Sequence, residues 1–73
     1  MAAHIKHRKL LGQAIRQYRK QVNLTQEQLG EKAGLNPKYV GEVERAEKNI
    51  SFDALMRIVG VLKISISHLV SGI

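Results

Sequence analysis

Two helix-start signals lie close together in the middle of this chain, with a helix-stop signal between them. Thr25 and Gln28 have the spacing of a capping box, in which each side chain accepts a hydrogen bond from the other residue's backbone N–H. Asn36 followed by Pro37 is a second start, because Asn caps free N–H groups and Pro has none to leave unsatisfied. Gly34 tolerates the left-handed backbone that ends a helix. The pattern predicts two short helices joined by a tight turn over about residues 25–46.

The apolar residues of this region are spaced so that both helices can pack on one core: Leu29, Ala33, Leu35, Val40 and Val43. Gly30 is small at the point where the two backbones would approach. With Val40 and Val43 facing inward, the opposite side of the second helix faces outward. This is the helix-turn-helix arrangement, whose second helix fits the major groove of B-form DNA.

Three further helices are expected outside this region. The first spans about residues 5–21 and ends near Asn23, which tolerates a left-handed backbone. The fourth begins after a Ser51 cap, with a buried face expected to consist of Phe52, Leu55, Met56, Val59 and Leu62. A turn at residues 63–65 precedes a short fifth helix over about 67–71, so helices four and five occupy about 51–71. We expect an all-α fold, a compact bundle of five short helices forming a single domain over residues 1–73.

The end of the chain is more apolar than so short a helix can readily hide. We expect some of this surface to form a homodimer interface, from Ile64, Ile66, Leu69, Val70 and Ile73. The alternation of Ile and Ser at 64–66 is also compatible with a strand, although a lone strand has nothing to pair with.

The basic residues are concentrated at one end. The net charge is +6, and the first twenty residues hold six basic residues and no acid. Such a segment attracts polyanions, chiefly nucleic acid, although a basic helix can also be a solvated face or bind an anionic membrane surface. No stretch has the length and hydrophobicity of a membrane span, so the expected location is cytoplasmic.

Composition argues against an enzyme or a metalloprotein. There is no cysteine, which excludes disulfides and thiolate metal sites, and no glycine-rich phosphate loop. His4 and His7 have helical i, i+3 spacing but no acidic neighbour, so we expect them to face solvent or phosphate rather than a metal. We expect no metal, no cofactor and no small-molecule ligand.

A longer pattern resembles the Cro and phage-repressor type (XRE-like) helix-turn-helix family, whose fold is that of the lambda-repressor DNA-binding domain. The resemblance covers about sixty residues and is carried by Thr25-Gln26-Glu27-Gln28-Leu29-Gly30-Glu31-Lys32-Ala33-Gly34-Leu35, by Tyr39-Val40 and by Glu44-Arg45. It extends over the first helix, from Leu11 to Arg19, and over Asn49 to Leu69. The segments Tyr-Val-x-x-x-Glu-Arg and Asn-Ile-Ser look like those of restriction-modification controller proteins.

The resemblance implies a DNA-binding role for nine residues. It implies that Gln26 hydrogen-bonds a phosphate and braces the recognition helix, and that Arg19 and Glu44 tie helix one to helix three. It implies that Pro37, Lys38, Tyr39 and Glu42, which follow the Asn36 cap, read base edges. It also implies that Arg45, Lys48 and Asn49 bind the DNA backbone.

Some of these roles have alternatives from chemistry alone. Lys38 can donate to guanine or remain a solvated lysine, and Tyr39 can contact DNA or lie over the core. Glu42 would be repelled by phosphates unless it accepts from cytosine or pairs with Lys38 or Arg45.

Three positions depart from the family pattern. Pro37 cannot read a base by hydrogen bonding, which shifts specificity to its neighbours. Ala46 stands where the family often has glycine, which predicts a helix one or two residues longer. Gly41 in mid-helix suggests close approach to DNA.

The function expected from the sequence is therefore sequence-specific regulation of transcription. A homodimer would read a near-palindromic operator in double-stranded DNA through helix three in the major groove. The alternative is an antitoxin-type interaction module that neutralises a partner toxin.

Overall fold

The chain folds into five α-helices in the computed structural model, which describes residues 4–73. The helices are α1 (Ile5–Gln21), α2 (Gln26–Ala33), α3 (Pro37–Glu44), α4 (Phe52–Leu62) and α5 (Ile66–Leu69). No strand occurs within residues 4–73, and the strand alternative at 64–66 is wrong because Ile66 opens α5. The helical bundle expected from the sequence is confirmed.

Local capping explains where the central helices begin and end. The Thr25 hydroxyl accepts from the Gln28 N–H at 3.0 Å, and the Gln28 side chain accepts from the Thr25 N–H at 2.9 Å. The Asn36 side chain accepts from the Lys38 N–H at 2.8 Å, which leaves Pro37 as the first helical residue. Gly34 has φ 70° and Asn23 has φ 61°, so both helix-stop predictions are confirmed.

The end of α3 differs from the prediction of a longer helix. Ala46 has φ 61°, the left-handed conformation that a glycine would adopt more cheaply. Its N–H bonds to the Val43 carbonyl at 3.0 Å, and the Glu47 N–H bonds to the Glu42 carbonyl at 2.8 Å. These two bonds are the Schellman termination of a helix. The chain therefore turns away after Glu44 even without glycine.

One core holds the helices together. Its fully buried side chains come from four helices: Ile15, Leu29, Val40 and Ile58. Fully burying an aliphatic side chain contributes about 1.5–3 kcal/mol. The expected inward face of α4 is partly wrong, because Phe52 is 71% exposed and Met56 42% exposed, while Ala54 and Ile58 are buried instead. The face of α4 that packs on the core therefore excludes Phe52 and Met56.

The end of the chain also requires a correction. Leu69 is only 2% exposed and belongs to the core, so its side chain does not face solvent as expected. Ile64 and Ile66 are half-buried, and Ile64 packs against the core. Val70 and Ile73 remain exposed. Leu69 of α5 covers the bundle, whereas Val70 and Ile73, which follow the helix, face outward.

Two glycines allow helices to pack closely. A Cβ on Gly12 of α1 would lie 2.6 Å from the carbonyl oxygens of Val43 and Glu44. A Cβ on Gly30 of α2 would lie 2.7 Å from the Leu35 carbonyl oxygen and 3.3 Å from the Pro37 backbone. The close approach expected at Gly30 is confirmed. These two close approaches allow α3 to pack against both α1 and α2.

Candidate nucleic-acid interface

The first turn of α3 projects into solvent. Pro37 and Lys38 are exposed, whereas Val40 and Val43 are buried on the opposite side of the helix. Asn36 is exposed as well, but its side-chain oxygen is used by the cap. The core fixes the other face of α3. The exposed Lys38 ammonium in its first turn can therefore reach a base edge.

Tyr39 lies partly over the core. Its ring packs against the hydrophobic cluster, and its hydroxyl accepts from the Ser51 N–H at 3.2 Å. The same hydroxyl donates to the Asn49 carbonyl at 3.5 Å, the long limit for a hydrogen bond. The structure shows the packed position, and contact of this half-buried side chain with DNA stays a prediction. Tyr39 of α3 thus holds the loop that leads into α4.

A buried polar network joins α1, α2 and α3. The Arg19 guanidinium donates to both Glu44 carboxylate oxygens, at 2.7 and 2.9 Å, and to the Leu24 carbonyl at 2.8 Å. The Gln26 amide donates to the same carboxylate at 3.0 Å. The hydrogen bond to Glu44 is the main reason that the pKa of Arg19 is raised. The pairing of Arg19 with Glu44 is confirmed, and Gln26 is held against α3 by it.

Gly41 serves the protein interior rather than an approach to DNA. It is buried, and a Cβ there would lie 2.9 Å from the Arg45 guanidinium and 3.1 Å from the Gln26 amide oxygen. The expectation of close contact between Gly41 and DNA is wrong for this reason. The missing side chain instead leaves room for Gln26 and Arg45 to lie across α3.

Arg45 is paired within the loop that follows α3. Its guanidinium donates to the Glu47 carboxylate at 3.0 and 3.3 Å, and both side chains are exposed. This hydrogen bond lowers the pKa of the Glu47 carboxyl. An exposed pair of this kind is weak. Arg45 can exchange Glu47 for a phosphate at little cost.

The remaining predicted residues lie around this surface. Lys48 and Asn49 are exposed in the loop after α3, and Glu42 is half-buried. No ion pair joins Glu42 to Lys38 or Arg45 in the part of the chain that the structure describes. The pairing alternative for Glu42 is therefore not what the structure shows.

Arg16 is a candidate that sequence reasoning missed. It lines two adjoining surface cavities together with Glu44 and Arg45: one of about 250 Å³, which also reaches Gln26, and one of about 350 Å³, which also reaches Lys9. Lys9 and Arg16 are seven residues apart, so they lie on the same face of α1. This spacing could have indicated a shared basic face from the sequence alone. It could not indicate which part of the protein that face lies against, because that depends on how α1 crosses α3.

Two negative observations apply to residues 4–73. No helix there has both the length and the apolar character to cross a membrane. Over the same residues, no cluster of three or more His, Cys, Asp or Glu side chains is arranged to hold a metal ion. The ring centroids of His4 and His7 lie 5.9 Å apart, with the ring planes tilted by 49°.

Two helices joined by a left-handed glycine, with a projecting second helix braced by a buried ion pair, define a helix-turn-helix protein. The family model described as helix-turn-helix matches residues 15–69, and the chain belongs to this family. Within it, the chain is similar to control protein C.SmaI of Serratia marcescens, at 38% identity over 88% of this chain and 76% of that one. It is 42% identical to the immunity repressor of Bacillus phage phi105 over 82% of its own length, but spans only 42% of that repressor.

A solved structure has the same fold. The chain is similar to the restriction-modification controller protein C.AhdI of Aeromonas hydrophila, with a TM-score of 0.85 at 33% identity. The match covers 88% of this chain and 97% of that one. The all-helical architecture is thus shared across nearly the whole of a controller protein.

Proposed function

We propose that this chain is a sequence-specific DNA-binding regulator of transcription that acts as a homodimer on a near-palindromic operator. The observation that carries the proposal is the projecting first turn of α3, fixed from behind by the Arg19–Glu44–Gln26 network. A rigid, solvent-facing helix is the element that enters a major groove. Such a regulator works where the DNA is, in the cytoplasm.

The candidate side chains divide into base readers and phosphate contacts. Lys38, with Glu42 beside it on α3, is positioned to meet base edges, and Pro37 sets the shape of the contact. Gln26, Arg45, Lys48 and Asn49 form the phosphate-binding rim, to which we add Arg16 because it borders Arg45. Tyr39 acts chiefly by holding the loop that carries Lys48 and Asn49.

The dimer surface proposed here is smaller than the sequence suggested. Val70 and Ile73 are 38% and 40% exposed, and Ile66 lies half-buried beside them in sequence. Leu69 supports this surface from the core instead of contacting a partner. Two subunits joined here would place their α3 helices in successive major grooves, ~34 Å apart.

Selection of bound sequences from random double-stranded DNA tests the proposal. The expected result is a motif with two-fold symmetry, because identical recognition helices read identical half-sites. Binding to it should weaken about 10³- to 10⁵-fold between 50 and 200 mM salt if about 6–10 phosphates are neutralised. Recovery of no enriched motif, or an affinity that does not depend on salt, would contradict the proposal.

The particular role that similarity favours is that of a restriction-modification controller. Two of the similar proteins are named as control or controller proteins, and the solved one matches over nearly its whole length. If the role is correct, the selected operator should occur upstream of this protein's own gene and a reporter fused there should respond to the protein. No observation favours the antitoxin alternative.

A further inference from the structure

A further surface cavity borders the proposed DNA-binding face at Asn49. It is a groove of about 380 Å³ between the start of α1, the loop before α4 and the end of the chain, and it exposes mainly apolar surface. Its lining consists of His4, His7, Arg8, Leu11, Asn49, Ile50, Val70 and Ile73. This volume lies within the range of small-molecule sites.

One wall of the groove is a single face of α1. It carries His7, Arg8 and Leu11, and His4 is the residue just before the helix. Basic side chains at the start of α1 are thus followed by an apolar one. Across the groove lie Ile50, Val70 and Ile73. No acidic residue lines it, and Arg8 makes no ion pair with any acidic side chain of residues 4–73. The groove therefore combines an uncommitted cation with an apolar floor.

We propose that this groove binds a small amphipathic anion, of the class of medium-chain carboxylates. The head group would pair with Arg8, next to the imidazoles of His4 and His7, and the alkyl chain would cover Leu11, Ile50 and Ile73. The lining offers two kinds of contact. Arg8 can bind a charged head group, and the aliphatic side chains can bind an apolar body.

Charge favours an anionic ligand over a second copy of the chain as the occupant. A second copy carries twelve basic residues against six acidic ones, so it offers Arg8 fewer counter-charges than an anion does. Val70 and Ile73 border both the groove and the proposed dimer surface, so a bound ligand and a partner subunit would compete for these two side chains. That consequence rests on the proposed function, whereas ligand binding itself does not.

Titration of the ¹⁵N-labelled protein with sodium octanoate, followed by amide chemical shifts, tests the site without DNA. Shifts should be confined to residues 4–11, 49–50 and 70–73, with a Kd of about 1 mM, as expected for so small a ligand. Octan-1-ol should bind about tenfold more weakly because it lacks the charge, and acetate should not bind because it lacks the chain.

Three variants locate the contacts. Arg8→Gln should weaken octanoate binding about tenfold, and Ile73→Ser should weaken it severalfold. Arg57→Gln is the matched control, because it removes the same charge from α4 outside the groove and should leave the Kd unchanged.

Other results would overturn the proposal. These are equal affinity for octanoate and octan-1-ol, an unchanged Kd for Arg8→Gln, or shifts centred on the exposed Phe52 and Met56. Shifts of His7, Arg8 and Ile50 on dilution of the protein alone would show that a second copy occupies the groove.

Discussion

At the scale of single residues, the ion pair between Arg19 and Glu44 determines whether α3 is held in place. Their side chains are 8% and 2% exposed, and Gln26 completes the hydrogen bonding of the carboxylate. A buried pair is costly to desolvate, so its net contribution to stability is small as long as both partners are present. The pair specifies how α1, α2 and α3 meet.

Removal of one partner should be far more damaging than removal of both. Arg19→Met alone should lower the free energy of unfolding by about 3 kcal/mol, because Glu44 would remain charged and unpaired in the interior. The double variant Arg19→Met with Glu44→Leu should recover most of this loss. Urea denaturation of both proteins measures the difference, and additive losses in the double variant would show that the two residues are not coupled.

Two exposed lysines should separate base reading from phosphate binding. Lys38→Ala should weaken binding to the selected operator by about 1–3 kcal/mol and relax the preference at one base position. Lys48→Ala should weaken binding to all sequences alike and reduce the slope of log K against log salt by about one. Titrations on operator and random DNA at several salt concentrations provide the comparison. If the two variants behaved identically on both DNAs, base reading and phosphate binding would not be separate roles of Lys38 and Lys48.

At the scale of secondary structure, backbone approach between α1 and α3 depends on Gly12. A Cβ there would meet the carbonyl oxygens of Val43 and Glu44, which are the last residues of α3 and cannot move independently. Gly60 in α4 is the opposite case, because a Cβ there would meet nothing within 4 Å.

The same substitution should therefore have opposite effects at the two glycines. Gly12→Ala should destabilise the fold by about 1–3 kcal/mol, since α1 must move away from α3. Gly60→Ala should stabilise it by about 0.5–1 kcal/mol, since alanine restricts the unfolded chain and favours the helix. Thermal unfolding followed by circular dichroism reports both. A Gly12→Ala protein as stable as the parent would mean that the two helices are further apart than described.

Helix ends show which local features can be predicted from sequence. Thr25, Gly34, Asn36 and Ser51 act through hydrogen bonds or backbone angles within four residues, and all four predictions are confirmed. Ala46 follows a different rule. It is left-handed without being glycine, and the backbone hydrogen bonds from Ala46 to Val43 and from Glu47 to Glu42 end the helix there.

At the scale of the whole molecule, the exposed apolar residues near the end of the chain set the proposed dimer. Val70→Glu should shift the protein towards monomer, because it places a charge on that surface without entering the core. Sedimentation velocity measures the shift, and an unchanged circular dichroism spectrum shows that folding is intact. Leu69→Glu cannot test the dimer surface, because Leu69 is buried and the variant would unfold.

Phe52→Glu is the control for this measurement. Phe52 is the most exposed of the large apolar residues and lies on α4, outside the proposed surface. It should leave sedimentation unchanged. A shift to monomer with Phe52→Glu, and none with Val70→Glu, would move the interface to α4.

The candidate site could be predicted only in part, for the same reason that applies to helix ends. The exposure of Lys38 follows from the apolar spacing of Val40 and Val43 on one short helix. The place of Tyr39 depends on Asn49 and Ser51, and the place of Gly41 on Gln26 and Arg45. No periodicity within α3 contains that information.

The sequence by itself determined the number of helices, the caps at Thr25, Gly34, Asn36 and Ser51, and the face of α3 that is buried, because these depend on neighbours within a few residues. Only the tertiary structure decided that Leu69 is buried, that Phe52 is exposed and that Arg16 lies beside Arg45. The crossing of α1 over α3 and the packing of α4 and α5 set these three features. Packing energy is shared among residues far apart in the chain, so it is not readable from any one segment.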